Sequence, residues 1–529
     1  MGDDLYELPN GWAWVKLEDV VETVENINPS INPKQKFIYL DIASIDNSLQ
    51  KITEPKTYFG ENAPSRARQL VKAGDILFST VRTYLKNIAV VPDIYDNQIA
   101  STGFCIIRSH KEIFEKFLFL VTQNDSFLEP LNQLQRGTSY PAVRNSDVLS
   151  QNITLPPLAE QHRIVAKIEE LFTQLDAGVE LLKKVKAKLK RYRQAVLKAA
   201  VEGNLTKEWR EANQGKLEPA SVLLERILKQ RREKWEAEQL AKMKAQSKTP
   251  KDDSWKLKYK EPVAPDISDL PELPDNWTWI SLDTVLSDIK AGKSFKCENE
   301  NTPSPEDVGV IKVSAVTWGE FNELESKTCN ELYRINPDLF VKTGDFLFSR
   351  ANTIELIGAC VIAKKVNLRV MLSDKILRFS FVEVPSKWIL FTLRSRQGRI
   401  DIERLSTGNQ ESMRNIGQER IRSIRIPLAP LQEMEQTINE VELRLSIVEK
   451  IEKTIDANLK RAERLRQTIL KQAFEGKLVP QDPSDEPAEK LLERIKAEKA
   501  QREADKKTQP KANNKTSKRR KAKSTATQL

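Results

Sequence analysis

Apolar residues recur every three to four positions along two stretches of the chain, which begin near positions 160 and 433. Lys186 and Arg193 interrupt the first stretch, and Glu452 and Arg466 interrupt the second. This period, kept over about five heptads, predicts two long helices with coiled-coil packing. The predicted packing residues are Val165, Ile168, Phe172, Leu175, Leu182 and Leu189 in the first helix and Val441, Leu445, Val448, Ile455 and Leu459 in the second.

Helix start and stop signals flank both stretches. Pro156, Pro157 and Pro430 come just before the helices, and Gly203 and Gly476 follow them where glycine favours a stop. Each helix would be roughly 60 Å long. We expect the two helices to pair with each other in antiparallel fashion. Binding to another protein and homodimer formation are the alternatives.

The segments before each helix alternate short β-branched and aromatic runs with Gly, Asn and Pro, which predicts strands. These runs are FIYLDIA, GDILFSTV and FCIIR in the first half of the chain and GVIKVSAV and GDFLFSR in the second. The pairs Gly74-Asp75 and Gly344-Asp345 are interpreted as tight turns into buried strands. The predicted fold class is therefore mixed α/β.

The pattern occurs twice, at an offset of about 270 residues. The clearest repeated blocks are LPNGWAWVKL and LPDNWTWISL, VKAGDILFS and VKTGDFLFS, RYRQAVLKAAVEGNL and RLRQTILKQAFEGKL, and PASVLLERI and PAEKLLERI. Because these blocks keep the same order at nearly one offset, they indicate a duplication. We expect two strand-rich domains, separated by the long helices and related by pseudo-twofold symmetry.

Composition and charge narrow the function classes. The chain is 39% hydrophobic and 30% charged, has no apolar run of membrane-spanning length and shows no signal-peptide pattern, which favours the cytoplasm. Its net charge is +10, but residues 506–529 contain nine Lys or Arg and no acid. The other residues sum to +1, so any nucleic-acid surface on the body must be a local patch.

Catalytic and metal-binding motifs are missing from the sequence. The four cysteines are scattered, so neither a disulfide framework nor a zinc site is expected. No dinucleotide fingerprint, nucleophile elbow, zinc-protease helix or D/N-P-P-Y/F methylation segment occurs. SDIKAGKS (287–294) approaches a phosphate-binding loop but lacks its first glycine. We expect no catalytic residue and no bound metal.

These features resemble the specificity subunits of type I restriction–modification systems. The resemblance rests on LP-x-x-W at the start of each copy and G-D-[IF]-L-F-S in its middle. LPPLAEQ and the weaker PLAPLQE start the two helices, KRYRQAVLKAAVEGNLTKEWR closes the first, and PAEKLLERIKAEKAQREA with a basic tail closes the chain. It spans essentially the whole chain. Each motif alone is moderately specific, whereas their duplicated order is strongly so.

The resemblance implies a non-catalytic subunit of a multisubunit adenine methyltransferase and endonuclease. Two target-recognition domains would each read one half of a bipartite, asymmetric site on double-stranded DNA. The helices would act as a ruler and would dock two methyltransferase subunits, which restriction subunits then join. No cofactor is implied for this chain: S-adenosylmethionine belongs to the methyltransferase, and ATP and magnesium belong to the restriction subunit. The host would be bacterial or archaeal.

The predicted domain boundaries follow the repeats. They are 1–155 for the first target-recognition domain, 156–246 for a central helical region, 247–272 for a linker, 273–428 for the second target-recognition domain, 429–505 for a C-terminal helical region and 506–529 for a basic disordered tail.

Candidate DNA-binding residues follow or flank the repeated strand block, because the readers should lie where the two copies diverge. Arg can pair with guanine and Asn or Gln with adenine, whereas Lys mainly holds phosphate. The candidates are Arg82, Tyr84, Lys86, Arg136, Ser139, Tyr140 and Arg144 in the first copy and Arg350, Asn352, Asn409, Gln410 and Arg414 in the second.

Two other functions fit parts of this pattern. Long heptads also suit a coiled-coil scaffold or tethering protein without sequence-specific DNA binding. Large, diverged, strand-rich repeats disfavour it, because a scaffold has no need of them. A methyltransferase fused to its specificity domain is disfavoured by the missing cofactor and catalytic motifs.

Overall fold

The computed structural model describes residues 6–247, 250, 252–301, 304, 306–329, 331, 333, 335–410 and 413–508. Contacts divide the chain into two units. Unit 1 holds the described residues up to Leu182 and from Asp456 onward, and unit 2 holds Lys183–Ile455. Each unit therefore combines parts of both copies. No helix in the described part of the chain is long and apolar enough to cross a membrane.

The strands of unit 1 are short and come from the first copy alone. They are β1 (Ala13–Lys16), β2 (Val21–Glu22), β3 (Lys36–Leu40), β4 (Ile45–Asp46), β5 (Lys51–Ile52), β6 (Lys56–Phe59), β7 (Ala67–Leu70), β8 (Ile76–Ser79), β9 (Ile88–Val90), β10 (Ile99–Ser101), β11 (Phe104–Ser109) and β12 (Asn152–Leu155). They form the sheets β6–β3–β10–β7 and β2–β11–β8–β9 and the pairs β1–β12 and β4–β5.

The strands of unit 2 come from the second copy. They are β13 (Thr278–Ser281), β14 (Leu286–Ala291), β15 (Cys297–Asn301), β16 (Val308–Ile311), β17 (Ser326–Cys329), β18 (Phe346–Ser349), β19 (Ala351–Asn352), β20 (Cys360–Ile362), β21 (Arg369–Met371), β22 (Ile376–Phe381), β23 (Thr407–Gln410), β24 (Met413–Asn415) and β25 (Arg425–Leu428). Their sheets are β15–β17–β16–β21, β14–β22–β18–β20 and β19–β24–β23, with the pair β13–β25.

The helices include two of equal length at equivalent positions of the copies. All of them are α1 (Leu17–Val20), α2 (Glu115–Val121), α3 (Asp125–Gln133), α4 (Asn145–Leu149), α5 (Leu158–Val201), α6 (Lys207–Ala212), α7 (Ala220–Ala245), α8 (Leu282–Val285), α9 (Ser386–Arg394), α10 (Arg396–Leu405), α11 (Gln418–Arg422), α12 (Leu431–Phe474) and α13 (Ala488–Thr508). Both α5 and α12 have 44 residues. The motif PLAPLQE, which matches the family pattern less well than LPPLAEQ, therefore still starts a helix of full length.

Sheet topology repeats between the units. In unit 1, β3 pairs in parallel with β10 and antiparallel with β6, and in unit 2, β16 pairs in parallel with β21 and antiparallel with β17. The strand after each Gly-Asp pair, β8 or β18, lies in the middle of a four-stranded antiparallel sheet. The predicted fold class, two strand-rich domains with long helices, is confirmed.

The Gly-Asp turns work as expected from the sequence. Gly74 and Gly344 have φ of +84° and +93°, which glycine adopts without strain. The carboxylate of Asp75 accepts the Lys72 N–H at 2.8 Å and pairs with Arg108. In unit 2, the carboxylate of Asp345 accepts the Lys342 N–H at 2.8 Å and pairs with Arg378 in the same way. Each turn is thus closed by an ion pair with a distant arginine, which the Gly-Asp motif alone does not predict.

The long helices pair antiparallel. In unit 1 the early part of α5 lies beside the late part of α12, where Arg466 bonds Asp176 and its guanidinium lies 4.1 Å from the Phe172 ring. In unit 2 the late part of α5 lies beside the early part of α12, where Arg193 donates to Glu452 at 2.7 Å. Three of the charged residues that interrupt the heptads are therefore partners in ion pairs, which explains why they are tolerated at these positions.

The apolar stripe is the least exposed side of both helices. In α5 the stripe is buried near both ends and half-buried in the middle, whereas in α12 buried and half-buried positions alternate along the helix. Buried positions are Val165, Ile168, Val441, Val448 and Ile455, and half-buried ones are Phe172, Leu175, Leu182, Leu189, Leu445 and Leu459. Their roles in helix packing remain predictions, as do the predicted domain boundaries. In the predicted linker, Trp255 is buried and stacks on Trp235 of α7, with ring centroids 5.9 Å apart. The predicted disordered tail lies, apart from its first residues in α13, outside the described residues.

Candidate nucleic-acid interface

In unit 1, two remote segments with predicted DNA-binding residues come together. We call residues 81–86 and 135–144 surface 1. The Arg82 N–H donates to the Pro141 carbonyl at 2.8 Å, and isolated bridges join Val81 and Arg136 to Ala142. The segment that follows β8 thus pairs with a small hairpin formed by residues 136–142. This pairing fixes the position of both parts of surface 1 relative to the strand.

Arg82 shapes this surface. Its backbone is left-handed, with φ of +50°, and its Nη2 donates to the Ser139 carbonyl at 2.9 Å. Its guanidinium lies 5.0 Å from the centroid of the Tyr140 ring, within the range of a cation–π contact. The Arg82 Nε is buried without a hydrogen-bond partner in the described structure. Arg82 therefore holds the tip of the hairpin, and the base-contacting role expected of it remains a prediction.

The other predicted residues of surface 1 differ in accessibility. Tyr140 is 71% exposed and Tyr84 is 51% exposed, so both present aromatic rings to solvent. Lys86, also left-handed with φ of +52°, is held by Asp125 at 2.9 Å. The exposed residues further include Arg136, Ser139 and Arg144. The side chains of surface 1 that are available to a ligand are therefore mainly aromatic and cationic.

In unit 2, the equivalent segments form a three-stranded sheet. We call residues 350–354, 406–410 and 413–416 surface 2. Asn352 pairs with Arg414 across β19 and β24, and the Ile416 N–H donates to the Arg350 carbonyl at 2.9 Å. Surface 2 thus stands at the same place in the fold as surface 1, directly after the Gly-Asp strand.

Arg414 braces surface 2 from within. Its guanidinium donates to Ser406 Oγ at 2.9 Å and to the Gly408 carbonyl at 2.9 Å. Asn352 Oδ1 accepts the N–H of the next residue. Gln410 is exposed, and Asn409 lies in β23. Gln410 is therefore open to a ligand, whereas the guanidinium of Arg414 is bonded to its own loop.

Sequence reasoning missed a buried anchor at the base of each unit. Trp12 Nε1 donates to Glu160 at 2.9 Å, and Trp277 Nε1 donates to Glu433 at 2.9 Å. Burial raises the pKa of Glu160 above its usual range. Arg210 Nη1 reaches Glu433 at 2.6 Å. The anchor ties each LP-x-x-W motif to the start of the long helix. The repeated Trp and Glu were the only sequence signal for it.

Among the described residues, no group of three or more His, Cys, Asp or Glu side chains is arranged to hold an ion. All strongly shifted thiols are shifted upward: burial raises the pKa of Cys105 to about 12 and that of Cys360 to about 11.

Comparison with known proteins agrees with this architecture. Residues 9–191 match the model of the type I restriction modification DNA specificity domain. The Escherichia coli EcoEI specificity subunit is 25% identical over 501 residues, covering 83% of this chain and 78% of that protein. The E. coli EcoKI specificity subunit is also 25% identical, covering 75% of each chain.

Solved structures agree as well. The HsdS subunit from Thermoanaerobacter tengcongensis is 27% identical with a TM-score of 0.50, covering 90% of this chain and all of that one. A chain from work on complex assembly and conformational transition of the type I R-M system is 26% identical with a TM-score of 0.65, covering 89% of this chain and all of that one.

The fold thus defines a duplicated, strand-rich protein with long paired helices. Residues 9–191 match a type I restriction modification DNA specificity domain, and most of the chain is similar to specificity subunits of type I restriction–modification systems. The match to a DNA specificity domain supports sequence recognition over the purely structural scaffold.

Proposed function

We propose that this chain reads a bipartite, asymmetric site on double-stranded DNA, with surface 1 on one half-site and surface 2 on the other. One observation carries this proposal: the same position of the repeated fold bears different side chains in the two units. Surface 1 exposes Tyr84, Arg136, Tyr140 and Arg144, whereas surface 2 exposes Gln410 and has fewer cations. Two surfaces that occupy the same position of the repeated fold but carry different side chains are suited to two half-sites of different sequence.

The exposed side chains have the chemistry that base reading needs. Arg136 and Arg144 can donate two parallel hydrogen bonds to guanine, and Gln410 can pair with adenine. Tyr140 and Tyr84 offer flat rings for contact with sugars or bases. Lys86, held by Asp125, and Arg350 suit phosphate contacts, which position the duplex without reading it.

We further propose that this subunit catalyses no reaction itself and works within a methyltransferase and endonuclease complex in the bacterial or archaeal cytoplasm. Two methyltransferase subunits, with S-adenosylmethionine, would dock on the helical regions, and restriction subunits, with ATP and magnesium, would join them. The helices would serve as the ruler between half-sites. The names of the relatives support membership in such a system, and the two 44-residue helices suit the ruler.

The test is an exchange of recognition segments in the complete complex. Residues 1–155 are replaced by the equivalent segment of another specificity subunit, and methylated adenines are then mapped in the host genome. We expect one half of the recognised sequence to change while the other half and the gap stay the same. A change in both halves, or in neither, would refute the assignment of one reader to each half-site.

Single substitutions assign the readers. Arg136→Ala should relax the choice of one base pair in the half-site of unit 1, at a cost of about 1–3 kcal/mol in discrimination. Gln410→Ala should do the same in the other half-site only. Lys86→Ala is the matched control: it should weaken binding to all sequences and reduce the salt dependence instead. If Arg136→Ala behaves like Lys86→Ala, Arg136 contacts phosphate and not a base.

A further inference from the structure

Two cysteines that are far apart in sequence lie opposite each other in unit 2. Strands β15 and β17 run antiparallel, and Cys297 is the register partner of Cys329. Directly opposed residues of an antiparallel pair have Cα atoms about 4.5–5.5 Å apart, and their side chains point to the same face. A disulfide requires a Cα separation of about 4.4–6.8 Å. The register, which shifts between Cys297 and Asn301, thus pairs the two cysteines in a way that is compatible with the Cα separation of a disulfide.

The surroundings of the two thiols differ, which gives them different access to solvent. Cys329 is buried at 2% exposure in a small apolar cluster with Val308 and Met371. Cys297 is half-buried at the edge of the same cluster. Burial, and then the neighbouring Cys329, raises the pKa of the Cys297 thiol. A small solute therefore meets the Cys297 thiol before it meets Cys329.

We propose that Cys297 and Cys329 form an oxidisable dithiol site that closes into an intramolecular disulfide when the protein meets a hydroperoxide. In the first step the thiolate form of Cys297 attacks the peroxide: the sulfur bonds one peroxide oxygen, the O–O bond breaks, and the other oxygen leaves as water with the thiol proton, so that Cys297 becomes a sulfenic acid. In the second step the Cys329 sulfur displaces that hydroxyl, which leaves as water with the thiol proton. Two thiols and one hydrogen peroxide give one disulfide and two waters, so the thiols are oxidised and the peroxide is reduced.

Formation of this disulfide links the edge strand β15 covalently to its neighbour β17. In its sheet, β15 stands at the end of the order, with β17 as its one neighbour among the described strands. A covalent link to β17 removes most of the freedom of β15 to separate from the sheet. A thiol reductant would reopen it, because exchange with a free thiol reverses the reaction. The site is confined to unit 2, so oxidation distinguishes one recognition domain from the other.

The remaining cysteines provide an internal control. Cys105 is 1% exposed in β11 and Cys360 is fully buried in β20. Neither is a register partner of another cysteine. Both should keep their thiols under conditions that oxidise the pair, unless the chain unfolds.

The experiment treats the purified full-length chain with hydrogen peroxide, blocks the remaining thiols with an alkylating reagent and analyses a non-reduced digest by mass spectrometry. We expect a peptide that links Cys297 to Cys329, lost on treatment with dithiothreitol, and alkylated Cys105 and Cys360. The Cys329→Ser variant should show Cys297 as sulfenic or higher acids without a link. Separate oxidation of both cysteines without a linked peptide, a link between two chains, or full alkylation of the pair would overturn the proposal.

A second measurement tests, without any substitution, whether the disulfide restrains β15. Amide hydrogen exchange is compared between the oxidised and the dithiothreitol-treated protein. Exchange in β15 and β17 should slow several-fold on oxidation, whereas exchange in unit 1 should stay the same. Equal rates in β15 in both forms would show that the link does not restrain the edge strand.

Discussion

Replacement of Glu433 by glutamine tests how much the buried anchor of unit 2 contributes to stability. The Glu433 side chain is fully buried and accepts hydrogen bonds from Trp277 Nε1 at 2.9 Å, Arg210 Nη1 at 2.6 Å and Thr206 Oγ1 at 2.8 Å. Glutamine has almost the same shape and keeps one oxygen acceptor. It removes the negative charge, however, and leaves Arg210, 17% exposed, without its ionic partner.

The magnitude follows from these contacts. Loss of one partner of a fully buried pair costs about 3–5 kcal/mol, and loss of a hydrogen bond to a charged group costs about 1.5–3 kcal/mol. Because Arg210 also donates to the Gly203 carbonyl at 3.1 Å and remains partly solvated, we expect the lower end of this range. A cost of about 2–3 kcal/mol corresponds to roughly 30- to 150-fold more frequent local opening.

Unit 1 supplies the matched control, because Glu160 occupies the equivalent position. It accepts from Trp12 at 2.9 Å and from Gln481 at 3.3 Å. Burial raises its pKa, so the carboxylate form costs stability at neutral pH, and this cost disappears as the pH falls through the raised pKa. Glu160→Gln should therefore be neutral or slightly stabilising at pH 7.

Amide hydrogen exchange is the suitable assay, since a chain of two units need not unfold in one step. Peptides from the start of α12 should exchange faster in Glu433→Gln by the stated factor, and those from the start of α5 should be unchanged in Glu160→Gln. Equal effects of the two substitutions would refute the argument that the Arg210 ion pair, and not the shared Trp–Glu bond, accounts for the difference.

Three further substitutions probe other contacts. Gly476→Ala should destabilise unit 1 by about 1–3 kcal/mol in chemical denaturation, because φ is +71° and a Cβ would lie 2.3 Å from Pro9 Cγ; an unchanged midpoint would contradict this. Asp75→Asn should cost about 2–4 kcal/mol, seen as faster exchange in β8, because Arg108 is only 13% exposed and loses its ion pair. Burial lowers the pKa of His110 below 6.5, so the folded state loses stability as the pH drops below that value. Protection of the amides around His110 from hydrogen exchange should therefore fall with the pH, and His110→Gln should remove this dependence.

Local signals in the sequence predicted the elements of the fold well. Heptad spacing and flanking Pro and Gly predicted α5 and α12 because an amphipathic helix needs only its own periodicity and end residues. The Gly-Asp pairs predicted their turns because a positive φ at Gly74 or Gly344 is a property of one residue. The repeated blocks predicted repeated sheet topology for the same reason, since equal local patterns fold alike.

The candidate site was predicted only in part. The segments around Arg82 and Tyr140 were found from their place beside the repeated strand and do meet in surface 1. What each residue does there could not be found in this way. Arg82 and Arg414 bond backbone carbonyls of their own hairpins. Sequence type cannot tell such a brace from a reader, because both roles use the same donors.

By itself, the sequence determined the periodic helices, the glycine turns, the duplication and the class of protein, all of which depend on neighbouring residues or on repeated order. Only the tertiary structure decided which remote side chains meet. Scattered in sequence, Cys297 and Cys329 face each other through strand register, and Trp277 finds Glu433 through packing. The physical reason is that long-range pairing depends on the register of strands and the burial of whole faces, which no local pattern encodes.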